Sequence, residues 1–224
     1  LKLVQVPAWN KLEVLTHEKA ALGLYLSGHP FEAYRPELKH VARTALAKAQ
    51  PKPEKQLLCG IITGVRVQMG KRGKMCFVTI DDATASLDVM VFSELFDANR
   101  HWLKEDQLVV IEGRVSEDRR SGDAEYIGGL RVVADALMDL NEVRKLYAKR
   151  LRVRLNGEAD AAKLLDVLRP YTTAGLTPVT VEYTYGASCG CVTLGANWKV
   201  TPHEQLLNRF AAWLPADRVQ FEYE

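Results

Sequence analysis

At Leu57 the spacing of apolar residues changes from helical to strictly alternating, and this change limits the possible folds more than any other feature of the chain. "LLCGIITGVRVQM" and "KMCFVTIDD" alternate on either side of a Gly70–Gly73 turn, and "SLDVMVF" follows, so three strands in a meander are expected. "SELFDANRHWLKED" then reads as a helix with Ser93 as N-cap, placing Leu95, Asn99, Trp102 and Phe96, Arg100, Leu103 on neighbouring faces. "QLVVIEGRVSE" and "AEYIGGLRVVADALMDL" resume the alternation across "DRRSGD". A plain meander has no need of a helix between its third and fourth strands. Three strands, a helix and two more strands is the order of a five-stranded OB-fold β-barrel, a fold that often binds oligonucleotides.

The flanks are of a different kind, which makes the fold class mixed. Upstream, Leu12, Leu15, Leu22, Leu24 and Leu26 among polar residues predict a helical segment ending at "SGHP", where Gly28 and Pro30 are stop signals. "FEAYRPELKH" adds a short helix, and "AQPKPEKQ" reads as a linker. Downstream, "NEVRKLYAKR" reads as a connecting helix, "LRVRL" as a strand, and Ala161, Leu164, Leu165 and Leu168 as one face of a helix stopped by Pro170. "LTPVTVEYTY" and "SCGCVTLG" predict a hairpin, and "TPHE" a capping box with Thr201 as cap, Pro202 first in the helix and Glu204 three residues on. "RVQFEYE" closes the pattern as a strand. The order βαββαβ predicts a small α+β domain of the split βαβ kind, with both helices on one face. If its first and last strands are neighbours, Arg152 and Arg154 pair with Glu222 and Glu224. The expected domains are therefore a helical segment and linker over 1–55, the barrel over 56–140 and the α+β domain over 141–224.

The 224 residues, 47% hydrophobic, suffice for two packed cores. The chain opens on leucine with no charged leader before an apolar run, so it reads as part of a longer polypeptide, and no apolar run is long enough for a membrane span. Four scattered cysteines, Cys59, Cys76, Cys189 and Cys191, do not make a disulfide framework and fit a reducing cytoplasm. The net charge of +2 divides unevenly: 1–55 carries 9 basic and 5 acidic residues, 56–140 carries 10 and 14, and 141–224 carries 11 and 9. The barrel is thus net acidic, and any polyanion must be held by a local patch.

Several chemistries are excluded by spacing. Gly64 and the Gly70-Lys71-Arg72 sequence have one spacer too many for a phosphate loop and lack its Ser or Thr. Cys189 and Cys191 have no second pair nearby, the histidines form no HxxxH pair, and the adjacent Asp81 and Asp82 point to opposite faces of a strand. No metal or other cofactor is expected in this part of the chain. His29, before Pro30, reads as a helix-capping or packing residue, not a catalytic one, and Ser121 has no histidine or acid at a telling spacing.

"QMGKRGKM" holds Lys71, Arg72 and Lys74 in the tip between the first two strands. This is either a solvated hairpin or a set of phosphate contacts. The second reading needs a platform of aromatics beside the cations. Phe77 and Phe92 on strands 2 and 3 are candidates for base stacking, or else core residues; Arg66 and Arg114 lie on strands 1 and 4, and Arg119 and Arg120 lie in the loop between strands 4 and 5. A second basic run, Val143 to Arg154, has six cations and no acid, and fits an exposed helix, a protein-docking surface or a further phosphate contact equally well.

"EKAALGLYLSGHPFEAY", "GVRVQMGKRGKMCFVTIDDATASLDVMVF" and "GANWKVTPHEQLLNRF" resemble the C-terminal part of the alpha subunit of bacterial DNA polymerase III, over nearly the whole chain. The resemblance implies the end of the fingers region, an OB domain that meets single-stranded template DNA, and a domain that docks the tau subunit of the clamp loader. It also implies that the polymerase aspartates, with the Mg they use, lie far upstream, and that the motif that grips the sliding clamp belongs just before the "LGLYLSGHP" block, where no convincing copy follows Leu1. Ala85 departs from the glycine common in that turn, and the loop carrying Arg119 and Arg120 is longer than usual. A rival is the anticodon-binding OB domain of an aminoacyl-tRNA synthetase, which "LGLYLSGHP" and the βαββαβ end argue against; a third reading is a protein-interaction scaffold.

Overall fold

The computed structural model describes residues 9, 11–70, 73–117, 129–157 and 161–223, with backbone alone at 70, 73, 74 and 216. It separates into two compact units, Leu1–Leu137 and Met138–Glu224.

In the first unit the strands are β1 (Gln56–Gly70), β2 (Gly73–Asp81), β3 (Ser86–Phe92), β4 (Leu108–Glu117) and β5 (Leu130–Met138), closed into a barrel in the order β1-β2-β3-β5-β4. Closure depends on the length of β1. Its first half, Gln56–Ile61, pairs antiparallel with β4, and its second half pairs antiparallel with β2, with a bulge between Ile62 and Gly64 that lets the strand bend around the barrel. Inward alternation supplies the core: Leu58, Ile62, Cys76, Val78, Ile80, Leu87, Val89, Val91, Val109, Ile111, Val115 and Val132 are all buried in one cluster. Where β4 passes β5 the backbones approach so closely that a Cβ on Gly113 would sit 2.5 Å from the Val133 carbonyl oxygen.

The expected helix between strands 3 and 4 is present as α3 (Ser93–Asn99), and Phe96 with the following Leu103 joins the barrel core. It is shorter than its apolar spacing suggested, because the Asn99 side chain turns back to accept from Trp102 Nε1 and donate to the Leu95 carbonyl. Ser93 is its first residue, not its cap; Phe92 occupies the cap position with no side-chain hydrogen bond.

Ahead of the barrel, α1 (Lys11–Leu22) also ends earlier than expected. Gly23 takes a left-handed φ of +78° and donates to Lys19 O, closing the helix, after which Glu18 accepts the Leu26 and Ser27 amides. Leu22, Leu24 and Leu26 are consequently exposed, and Leu15 alone of the five leucines is buried. A 3-10 turn (Pro30–Ala33), capped by His29 Nδ1 as its position suggested, leads to α2 (Arg35–Leu38). This segment is tied to the barrel at two carboxylates. Asp106 accepts from Lys19 Nζ and from Tyr25 OH, and buried Asp82 accepts from the Leu46 amide at 2.9 Å. In the turn after β2 the left-handed residue is Ala83, at φ 67°, not the Ala85 that departs from the family pattern.

In the second unit α4 (Leu140–Tyr147), capped by Asp139, leads to β6 (Arg150–Asn156), α5 (Ala161–Leu168), β7 (Val179–Tyr185), β8 (Ser188–Thr193), α6 (Glu204–Ala211) and β9 (Val219–Glu222). The sheet order is β8-β7-β6-β9, with β6 parallel to β7 and antiparallel to β9. Leu164 and Leu168 of α5 and Leu206 and Phe210 of α6 bury against Leu151, Val153, Val179, Val219 and Phe221, so both helices cover one face. Two expectations are corrected. The βαβ unit is not split: β6 and β7 are direct parallel neighbours, and the other two strands, β8 and β9, take the outer edges. The first and last strands do lie side by side, but only Arg150 and Arg152 reach Glu222, while Arg154 pairs with Glu182 across β7 at 3.2 Å; Glu224 lies outside the described residues. Likewise α6 starts two residues late. Val200 bridges to Thr177 and the Thr201 amide donates to Tyr171 O, which keeps the chain extended, and His203 becomes the cap by accepting the Gln205 amide.

Candidate nucleic-acid interface

Alternation on a closed barrel decides which side chains face out. Across β1, β2 and β3 the register sets Arg66 opposite Phe77 and Phe77 opposite Met90; the next row is Gln68, Met75 and Phe92. Their sequence neighbours Cys76, Val78, Val89 and Val91 fill the core, so both phenylalanines lie on the outer surface. Phe92 is 52% exposed and Phe77 half-buried, which removes the core reading for each. They are diagonal neighbours on adjacent strands, a relation that spaces Cα atoms about 7–8 Å apart and leaves both ring faces within reach of a single chain of bases.

Arg66 is held over this surface. Asp88 accepts from its Nη2 and, through the other carboxylate oxygen, from Thr79 Oγ1 at 2.5 Å. The acid is largely covered, with 14% of its side chain exposed against 53% for Arg66, so the guanidinium is the group offered to solvent. A second cation was missed by the sequence reading. Arg131 on β5 brings Nη2 to 3.7 Å from Met90 Sδ and flanks the aromatic strip from the other side. Alternation marks it as outward-facing, but only the parallel β3–β5 pairing places it beside Met90.

The remaining candidates divide. Arg114 is not brought to this face: it lies on the outer side of β4, in a cluster where it approaches Asp135 at 3.5 Å and Lys55 bridges Glu112 at 2.8 Å and Asp135 at 3.5 Å. Lys74, the second residue of β2, is opposite Met69, and its backbone is all that is described. Lys71, Arg72, Arg119, Arg120 and Ser121 lie outside the described residues.

Asp82, passed over in the sequence for want of a metal-binding partner, has a structural use. Burial alone would raise its pKa, but hydrogen bonds from Thr84 Oγ1 and the amides of Leu46, Thr84 and Ala85 outweigh it and hold the carboxyl below its ordinary value. Among the described residues no group of three or more His, Cys, Asp or Glu side chains is placed to hold a metal ion, and no helix is long and apolar enough to cross a membrane.

Residues 57–140 match the family of OB-fold nucleic acid binding domains, and residues 163–212 match the C-terminal domain of DNA polymerase III subunit alpha. DNA polymerase III subunit alpha of Neisseria meningitidis (serogroup A) is 32% identical over 100% of this chain and 19% of the relative. That of Vibrio cholerae is 34% identical over 99% of this chain and 19% of the relative. The chain thus spans about a fifth of the length of these curated relatives. Among solved structures, the second OB-fold domain of replication protein A from Methanococcus maripaludis aligns with 43% of this chain and 93% of its own, at 14% identity and a TM-score of 0.33.

Proposed function

Since the chain belongs with the C-terminal region of bacterial DNA polymerase III alpha subunits, we propose that its barrel binds single-stranded template DNA on the outer face of β1, β2 and β3. The observation that carries this is the pair of outward phenylalanines, Phe77 and Phe92, set between Arg66 and Arg131. Aromatic faces stack on any base, and guanidinium groups neutralise phosphates, so the binding is strong without reading sequence. Lys71, Arg72 and Lys74, between Gly70 and Met75 in sequence, and Arg119 and Arg120, which precede β5, are the further phosphate contacts in this reading. Arg114, tied to Asp135 away from the strip, contributes least.

The second unit is, in this reading, a protein-binding module that couples the polymerase to the tau subunit of the clamp loader. The polymerase aspartates with their Mg, and the sliding-clamp motif, belong to the part of the parent polypeptide that precedes these residues, and the protein works in the cytoplasm. The rival anticodon-binding reading has nothing in its favour from 163–212, which matches a polymerase domain.

The test is fluorescence anisotropy with labelled single-stranded DNA at several salt concentrations. Changing Lys71, Arg72 and Lys74 together to alanine should weaken binding and flatten the slope of log K against log salt by up to about 2 to 3, at ~0.7 per lost contact. Phe92→Ala should weaken binding by about 1–3 kcal/mol with the slope unchanged. Unaltered affinity and slope in both variants would overturn the assignment and favour the scaffold reading.

A further inference from the structure

Cys189, Gly190 and Cys191 lie on β8, an edge strand of the second unit whose only described neighbour is β7. Cys189 is opposite Thr184 and Cys191 opposite Glu182, which itself faces Arg154, so both thiols project from the polar face of the sheet and away from the helices. Both are free and exposed.

From this placement we propose that Cys189 and Cys191 form a two-coordinate site for a soft, thiophilic monovalent cation of the Cu(I) class. Spacing decides between the ion and a disulfide. Residues two apart on a strand are separated by about 6.7 Å, whereas a disulfide draws its Cβ atoms to about 3.5–4.5 Å. That bond would require breaking the β7–β8 ladder. An ion with metal–sulfur bonds of about 2.3 Å spans about 4.6 Å between sulfurs, a gap two side chains on one face close by rotation about χ1. Thiolates select soft cations over Mg or Ca.

The charge balance is also met. Binding exchanges two thiol protons for one cation, leaving a dithiolate complex of net charge −1 and releasing two protons to solvent. Arg152 and Arg154 lie on the same sheet face, where Glu182 approaches both, at 3.4 Å and 3.2 Å. With Arg150 on the same face, three guanidinium groups stand against the Glu182 and Glu222 carboxylates, so this face stays net positive even though Glu182 is opposite Cys191. The site belongs to the second unit and does not depend on the function proposed for the barrel.

The experiment is an anaerobic competition in which the chain withdraws Cu(I) from its coloured bicinchoninate complex. Wild type should take one ion per chain, and Cys189→Ser and Cys191→Ser should each bind about 100-fold more weakly or worse, the loss expected when a second ligand no longer acts from the same molecule. Surface serines leave the fold intact, and a double serine variant retaining buried Cys59 and Cys76 measures any background. Single variants that equal wild type, or a wild type no better than the double variant, would overturn the site. So would an intrachain disulfide between the two residues, seen by mass spectrometry after mild oxidation without loss of the β7–β8 amide protection.

Discussion

Asp82 is one of the two carboxylates that fasten the segment ahead of the barrel to it, and removing it should release the stretch around Leu46 before it unfolds the barrel. One oxygen accepts from Thr84 Oγ1 and from the amides of Thr84 and Ala85 at 2.9 and 3.1 Å; the other accepts the Leu46 amide at 2.9 Å. Leu46 and Ala85 are buried, so in Asp82→Ala two amides lose their partners without gaining water, at about 1–3 kcal/mol each, or about 2–6 kcal/mol together. Thr84 can turn to solvent and adds little. Asp82→Asn keeps one acceptor oxygen but sets an NH2 group against the Leu46 amide, costing about 1–3 kcal/mol. Urea unfolding gives the totals, and hydrogen exchange at Leu46 and Ala85 locates them: protection should fall at both in the alanine variant and at Leu46 alone in the asparagine variant. The pH dependence has a definite sign. A carboxylate whose folded pKa is depressed stabilises the fold above its unfolded value of about 3.9 and loses that contribution as pH falls through the folded value. The advantage of wild type over Asp82→Asn should therefore be constant near neutrality and shrink in acid below about pH 4. A loss under ~1 kcal/mol in Asp82→Ala, with Leu46 still protected, would refute the reasoning.

Two further outcomes are expected. Gly113→Ala drives a Cβ to 2.5 Å from the Val133 carbonyl oxygen, a backbone atom that cannot swing aside, and should destabilise the barrel by about 1–3 kcal/mol in urea unfolding. In a pull-down, residues 141–224 should suffice to retain the tau subunit; retention by residues 1–140 alone would defeat the coupling role.

The barrel was legible because its signals are local. Alternation sets each inward residue from Leu58 to Val115, and the helix carrying Phe96 announces itself by a change of period. Helix ends were less legible, since hydrogen bonds from distant residues decide them: Tyr171 keeps Thr201 extended, and a fold-back by Glu18 follows the early stop at Gly23. Strand adjacency was legible where a short turn joins the strands, as in β1-β2-β3 and β7–β8, and for β6 beside β9, but not between β6 and β7. Nothing in the spacing of β6 and β7 says that they touch, which is why Arg154 finds Glu182 and not the acids of the last strand. The same limit applies to the site. Phe77 and Phe92 were recognisable as residue types on two paired strands, but Arg131 enters through a parallel pairing between strands remote in sequence, and Arg114 leaves for the opposite reason.

The barrel is joined unequally around its circumference. β1 and β2 run together from Ile61 to Gly70 and from Gly73 to Asp81, whereas β3 meets β5 only at Val89–Val132 and Met90–Val133 among the described residues. The three-stranded curl can form early from neighbouring segments, while this short latch must bring together residues roughly forty positions apart, at a cost in loop entropy. Met90 and Arg131 stand on its two sides, and Arg131, over the buried Met90, borders the proposed DNA face. A strand of DNA lying across them acts as a clasp, favouring the latched barrel by its own binding energy. Slowed amide exchange at Val132 and Val133 when DNA is added would report that clasp directly.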